Sequence, residues 1–265
     1  MNQVHRQLLS ASLGRLESIS LDEMDSVKLM NRIDNKYLTN LATLSLLLDD
    51  AARAGYRALC ADGLKLIPYN SVYFDTPSLK MYTDHRNRKL VRQKVRTRCY
   101  VASGLSFLEI KRKNNKGRTK KKRIRIPQED FADFRANAEA SAYLASHSAF
   151  TAADLAPELS TMFSRITLVN PEKTERITID VDLHFHNVRS GREATLGDAV
   201  IIELKQDGRA PSRMKSILLD RRIHPFRISK YCTAVTLTDP SARPGRFKLK
   251  LRRVEKVINK ALTTI

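Results

Sequence analysis

VRQKVRTRCYVASGLSFLEIKRKNNKGRTKKKRIRI, residues 91–126, carries the fold in its spacing. Charged and apolar or small residues alternate with period two, the period of a β-strand. Arg96 and Arg98 share one face, with Val95 and Thr97 on the other. Glu109 and Lys111 share a face from which Leu108 and Ile110 point away. Lys121, Arg123 and Arg125 form a third charged face, backed by Ile124 and Ile126; residues 116–123 read as a nucleic-acid patch or a charged hairpin tip, and Gly117 in a polar turn favours the hairpin. Two arrangements satisfy this pattern. An open antiparallel sheet buries its apolar face and wets the charged one. A closed barrel turns the charges inward. Two like unit charges about 4 Å apart repel by roughly 4 kcal/mol at an effective dielectric near 20, so a cationic lumen calls for an anionic guest.

The whole chain has the same bias. Its 265 residues are 42% hydrophobic, enough for a sizeable core, and carry a net charge of +20. Phosphates, nucleic acid or an anionic membrane surface are the partners this implies. Cys60, Cys99 and Cys232 have no metal-binding spacing and no even count, as expected of free thiols in a reducing compartment. No apolar run approaches the roughly 20 residues of a membrane span. The N-terminus lacks the apolar stretch of a signal peptide. A soluble intracellular protein is expected.

Other segments repeat the charged alternation. Arg32, Asp34 and Lys36 fall on one strand face. Residues 175–186 read as the cleanest strand, with Arg176, Thr178, Asp180, Asp182, His184 and His186 on one side. Glu203 and Lys205 echo Glu109 and Lys111. Helical periodicity is expected in residues 1–30 (Leu8 to Met30, with Ser20 or Asp22 near a cap), 41–56, 128–146 after Pro127, and 210–222. A strand is expected around Val72–Phe74, and residues 149–160 read as a connection. Ser229, Lys230 and Tyr231 stand at the entrance of a helix or strand. The tail from Phe247 is a basic amphipathic helix, docked on the body or lying on a membrane surface. The expected division is a helical segment 1–30, a main domain 31–240 and the C-terminal helix 241–265, in an α+β chain.

Surface ion pairs would explain any one of these faces. Across the set, however, cations outnumber carboxylates. Asp34, Glu109, Asp180, Asp182 and Glu203 are few enough to suit a divalent ion whose other ligands are phosphate oxygens and water. His184 and His186 read as strand-edge residues or as a metal pair. There is no Gly-rich phosphate loop: residues 113–122 lack its first glycine and its strand-to-helix context.

The order of motifs is informative. Arg-x-Asp-x-Lys-Tyr (32–37), Tyr-Phe-Asp-Thr (73–76), Arg-x-Arg-x-Tyr (96–100), Glu-x-Lys (109–111) and Lys-x-Arg (121–123) come first. Ser-Arg (164–165), Arg-x-Thr-x-Asp (176–180), Glu-x-Lys (203–205) and Ser-Lys-Tyr (229–231) follow. Together they resemble the VTC domain, the catalytic domain of the vacuolar transporter chaperone polyphosphate polymerase, in the triphosphate tunnel (CYTH-like) superfamily. The resemblance implies an antiparallel β-barrel tunnel with helices packed outside. It implies transfer of the γ-phosphoryl group of ATP to a growing polyphosphate chain, with Mn²⁺ or Mg²⁺. Lys36, Arg96, Arg98, Lys111, Lys121, Arg165, Arg176 and Lys230 would be the catalytic cations lining the tunnel. Arg32, Tyr100, Arg123, Lys205, Ser229 and Tyr231 would bind substrate, and Glu203 would hold the metal. The run of lysines leaves Lys122 as the alternative to Lys121.

One departure matters. The hydrolytic branch opens with Glu-x-Glu-x-Lys, whereas this chain has Arg32-x-Asp34-x-Lys36. One carboxylate fewer agrees better with the polymerase branch. A triphosphatase, and a non-catalytic binder of polyphosphate or RNA, are the rival expectations. ATP and polyphosphate are the expected partners, in preference to nucleic acid. No counterpart of the regulatory SPX domain and membrane anchor of the eukaryotic polymerase is expected in these residues. The expected setting is cytoplasmic, with a membrane protein partner at the inner face as an alternative.

Overall fold

The computed structural model describes residues 1, 3–25, 27, 32–208 and 211–262; the side chains of Asp25 and Arg32 are outside that description, as is Met30. Eleven strands form one sheet. They are β1 (Glu17–Ile19), β2 (Arg32–Asn40), β3 (Arg57–Leu59), β4 (Ile67–Asp75), β5 (Arg92–Tyr100), β6 (Leu105–Lys113), β7 (Thr119–Ile126), β8 (Ala156–Val169), β9 (Glu175–Asn187), β10 (Glu193–Thr195) and β11 (Ala199–Asp207). The main path runs β2-β11-β9-β8-β4-β5-β6-β7 and is antiparallel throughout. β10 flanks β9, and β3 joins β8 and pairs in parallel with β1. The helices are α1 (Gln3–Gly14), α2 (Leu21–Asp25), α3 (Leu41–Arg53), α4 (Lys80–Arg86), α5 (Ala138–His147), α6 (Arg213–Asp220), α7 (Lys230–Thr238) and α8 (Phe247–Ile258). Among the described residues no helix is long and apolar enough to cross a membrane.

The alternation in β5 and β6 sorts side chains as the sequence dictates. Val95, Leu108 and Ile110 pack outward under α5 with Phe74, Phe134 and Leu144. On the same outer surface, Ile166, Ile177, Ile179, Ile202 and Leu204 are covered by leucines of α1 and α3 and by Met214 and Leu218 of α6. The inner, concave surface is apolar only in part: Leu38, Tyr69, Tyr73, Phe163, Leu183 and Phe185 pack against α4, α7 and α8. The sheet is therefore a trough, helix-covered outside and filled by helices over part of its inside. The main path is not closed by strand pairing: β2 and β7 stand at its two ends. The edge of β2 is covered instead by the segment before α7, where Phe226 N donates to Lys36 O at 2.6 Å and Pro225 bridges Tyr37. The edge of β7 is lysine-rich and exposed, a composition that discourages further strand pairing.

Turns and caps follow local chemistry. Gly117 takes φ +79 at the β6–β7 hairpin tip. Asn40 caps α3 through Thr43 N at 2.9 Å, and Gly55 at φ +76 lies just past its end. Ser20 and Glu23 cap each other's backbone amides at the start of α2.

Three expectations need correction. The helix expected over 128–146 is two single 3₁₀ turns, Glu129–Phe131 and Phe134–Ala136, followed by α5. Asp133 and Asn137 capture the amides of Arg135 and Ala140, so their side chains compete with a continuous helix. β8 starts at Ala156, inside the expected connection; a register shift beside Pro157 accommodates the missing amide. The charged face expected from Arg176 to His186 is broken at Asp182. That residue takes φ +53, and the β8–β9 register slips there. An extra residue inverts every side chain beyond it. Arg176, Thr178 and Asp180 stay on the inner face, Leu183 and Phe185 turn inward after them, and His184 and His186 are left half exposed beside Asp182 and Glu193.

Candidate functional site

Lys36 on β2 and Lys94 on β5 show how far the sheet curls. Four strands separate them in the order of the sheet. Both nonetheless reach consecutive residues: Lys36 Nζ donates to Ile228 O at 3.3 Å, and Lys94 Nζ to Ser229 Oγ at 2.8 Å. The same Ser229 hydroxyl accepts from Cys232 N at 3.3 Å and so caps α7. The cap directs the first residue of the helix, Lys230, into the trough.

Two clusters of paired charges line the inner wall. In the first, Arg96 is buried, and its guanidinium donates to Glu109 Oε2 (2.8 Å from Nε) and to Tyr73 Oη (3.0 Å). Lys121 Nζ reaches the other Glu109 oxygen at 3.3 Å. Register explains this: Glu109 lies between Arg96 and Arg123, and Lys111 between Lys94 and Lys121. Lys121 is thus the inward residue, while Lys122 lies opposite outward-facing Ile110. In the second cluster Arg165 grips Asp180 in a fork, at 2.6 and 2.9 Å, and Lys230 donates to the same carboxylate. Lys230 also lies 3.2 Å from the centre of the Phe163 ring.

Glu203 and Lys205 on β11 pair with each other at 2.9 Å. Glu203 stands opposite Lys36 and Thr178 in register, and Lys205 opposite Asp34 and Arg176. The structure therefore brings Lys36, Arg96, Arg98, Lys111, Lys121, Arg165, Arg176, Lys205, Lys230 and Glu203 to one concave surface. Arg123 lies exposed on its β7 margin, its guanidinium 4.8 Å from the Phe107 ring centre. Tyr100 packs against Tyr69 and Phe107 at 5.1 and 5.8 Å. Tyr231 is buried, stacks on Tyr73 at 5.2 Å and gives its hydroxyl proton to Asp75. In this position it braces α7 from below the cations. The Arg32 side chain is outside the described residues.

The electrostatics set a hierarchy. Burial alone would raise the proton affinity of Glu109, but the charges of Arg96, Arg98, Lys111 and Lys121 hold its carboxyl well below the usual range. Arg165 and Lys230 do the same for Asp180 against its burial, and Lys205 and Lys36 for Glu203. The cost falls on the remaining cations. The Arg96 charge, followed by burial, pushes Lys111 far below an ordinary lysine; the charges of Glu109 and Glu203 offset this only in part. Burial pulls Lys230 down similarly, and burial with the Arg96 charge brings Arg98 to about 10. Among the described residues no carboxylate lies at ion-pair distance from Arg98, Lys111 or Lys94.

Sequence reading passed over Lys94 and the anchoring roles of Tyr73 and Asp180. Lys94 was legible, because it shares the period-two face of Arg96 and Arg98. Tyr73 and Asp180 act through contacts between strands distant in sequence.

A profile of the VTC domain matches residues 31–238. The chain belongs to the VTC domain family. Within that matched span lie all the trough residues just described. Curated proteins give no match. Among solved structures, this VTC domain is similar to a candidate adenylate cyclase from Bacillus halodurans at 15% identity and TM-score 0.49, over 76% of this chain and 96% of that one. A candidate adenylate cyclase from Vibrio parahaemolyticus gives 10% identity and TM-score 0.46 over the same shares. A candidate adenylyl cyclase from Hippeastrum, described with a dominant triphosphatase activity, gives 15% and 0.47, over 76% of this chain and 94% of that one.

Among the described residues no group of three or more His, Cys, Asp or Glu converges. Glu109 and Asp180 are engaged by two cations each. Glu203 has a single lysine partner, stays ionised and keeps 26% of its side chain accessible. It fits an ion for which the protein supplies one ligand and phosphate and water supply the rest.

Proposed function

We propose that this VTC domain is a metal-dependent polyphosphate polymerase that transfers the γ-phosphoryl group of ATP to a growing polyphosphate chain. One observation carries the reading: Arg98, Lys111 and Lys94 are inward-facing cations that have no carboxylate at ion-pair distance among the described residues, next to carboxylates already paired with cations. Such a surface gains stability from a multivalent oxyanion.

Phosphoryl transfer needs positioning and neutralisation of charge more than it needs a covalent nucleophile. Arg98, Lys111 and Lys94 would hold the equatorial oxygens of the reacting phosphates. Arg96 and Arg165, braced by Glu109 and Asp180, would keep their guanidinium planes fixed as phosphate forks. Lys230, placed by the Ser229 cap, would reach the same phosphates from above. Glu203 would hold Mn²⁺ or Mg²⁺, which when bound polarises bridging oxygens and screens their charge. The acceptor, a terminal phosphate, is already an anion, so no residue has to take its proton. The ionised carboxylates are locked to cations, which disfavours their use in activating water.

The test is incubation with ATP and Mn²⁺ or Mg²⁺, followed by gel analysis. Long-chain product supports the polymerase. Orthophosphate alone would move the reading to a triphosphatase, and tight polyanion binding without turnover to a binding module. We further propose that the protein works in the cytoplasm, and that any passage of product across a membrane falls to a partner protein.

A further inference from the structure

At one end of the trough, five cations gather where residues 226–229 lead into α7: Arg92 and Lys113 at the ends of β5 and β6, Arg227, and Arg246 and Lys250 at the start of α8. Short contacts join them to the trough. Lys94 and Cys232 N both donate to Ser229 Oγ, Cys232 Sγ lies 3.1 Å from His85 Nδ1, and Arg246 donates to His85 O at 2.6 Å. Lys250 donates to Arg227 O and lies 5.8 and 5.7 Å from the ring centres of Phe226 and Phe247.

We infer that this rim binds the phosphates of a polyanionic chain that runs on beyond the trough, so that the protein distinguishes long polyphosphate from a triphosphate. The inference rests on the phosphate reading of the trough. Three of the rim cations are held by backbone carbonyls, Arg92 by Lys89 O, Arg246 by His85 O and Lys250 by Arg227 O, and among the described residues none of the five has an ion-pair partner. A carbonyl orients a cation without neutralising it. Burial and the charges of Arg92 and Arg227 lower the proton affinity of Lys113; burial, Arg246, Arg227 and trough residue Lys36 lower that of Lys250. Arg246 and Lys250 lie after residue 238, outside the family match, so part of the rim is built by this chain's own C-terminal segment. A single-stranded nucleic acid would call for exposed aromatic platforms. The rim rings do not provide them: Phe247 is buried and Phe226 partly so.

The test measures metal-free binding of sodium tripolyphosphate and of long-chain polyphosphate by the full chain and by an Arg227→Glu/Lys113→Glu variant. The expected result is an unchanged tripolyphosphate affinity and an advantage of the long chain reduced about tenfold, with a salt slope lower by about one per cation removed. Lys250→Gln repeats the measurement with a milder change and is expected to move it the same way. An unchanged long-chain advantage in both variants overturns the rim, as does tighter binding of an RNA of matched charge. Absence of tripolyphosphate binding by the wild type overturns the trough reading and the rim with it.

Discussion

Glu203 on β11 and Lys111 on β6 are within electrostatic reach of one another, although four strands separate them in the sheet. Only a curled sheet permits this. Among the described residues Glu203 is seen with one cation partner, Lys205, where Glu109 and Asp180 each have two, and Lys111 has no carboxylate at ion-pair distance. Anion affinity here is therefore opposed to stability of the empty protein.

Lys111→Met tests that opposition. The substitution removes a charge that Arg96 and burial disfavour, and keeps the apolar stem. The empty protein should melt about 2–4 °C higher, the shift that roughly 1 kcal/mol gives in a domain of this size. Tripolyphosphate affinity should fall about tenfold, one charge-assisted contact being worth ~1.5 kcal/mol. Differential scanning fluorimetry and calorimetric titration give the two numbers; a lower melting temperature would contradict the account.

Proton linkage offers a second check. Lys111 and Lys230 bind protons less readily when folded than the ordinary lysine value of 10.5. Between the lowered folded values and 10.5 the unfolded chain holds more protons, so stability of the empty protein should rise with pH in that window. A bound polyanion restores proton affinity, so binding near pH 9 should take up protons. Titration in buffers of different ionisation enthalpy would reveal the uptake, and buffer-independent heats would refute it. At the acid end the slope has the same sign, because there too the unfolded chain holds more protons. Glu109, Asp180 and Glu203 are held low, so their contribution is lost only as pH falls below the usual carboxylate range.

Glu203→Ala separates metal binding from phosphate binding. Turnover with Mn²⁺ or Mg²⁺ should be lost. Metal-free tripolyphosphate affinity should hold or improve, because a negative charge has left the trough. Loss of metal-free binding would instead mark Glu203 as a structural brace for Lys205.

Asp182 is the hinge of the inner wall. Asp182→Val should cost about 1–2 kcal/mol, since a β-branched side chain is strained at φ +53. Insertion of one further residue after Asp182 should be far worse, moving Leu183 and Phe185 to the outer face. Urea denaturation of the two variants should rank them in that order.

The charged faces of β5, β6, β7 and β11 were legible because a strand has one periodicity. Arg96, Lys111, Lys121 and Glu203 had only to be counted by twos to fall on the correct side. The order of short motifs was likewise readable, and the family match over residues 31–238 follows it. The break at Asp182 was not readable. No glycine or proline marks it, and the residue is held in the left-handed region by the strands around it. Residues 128–137 misled for a related reason, as side-chain caps at Asp133 and Asn137 overrode a good helical pattern.

By itself the sequence determined which side chains could share a face, because alternation along a strand is local geometry. Which faces meet, and which charges are spent before a ligand arrives, was decided by tertiary structure alone. Strand register sets Arg165 opposite Asp180 and Arg96 opposite Glu109, curling of the sheet carries Lys36 and Lys94 to neighbouring residues, and among the described residues Arg98 and Lys111 are left with no carboxylate at ion-pair distance. Coulomb energy depends on distance in space, and the chain order of these residues does not encode it.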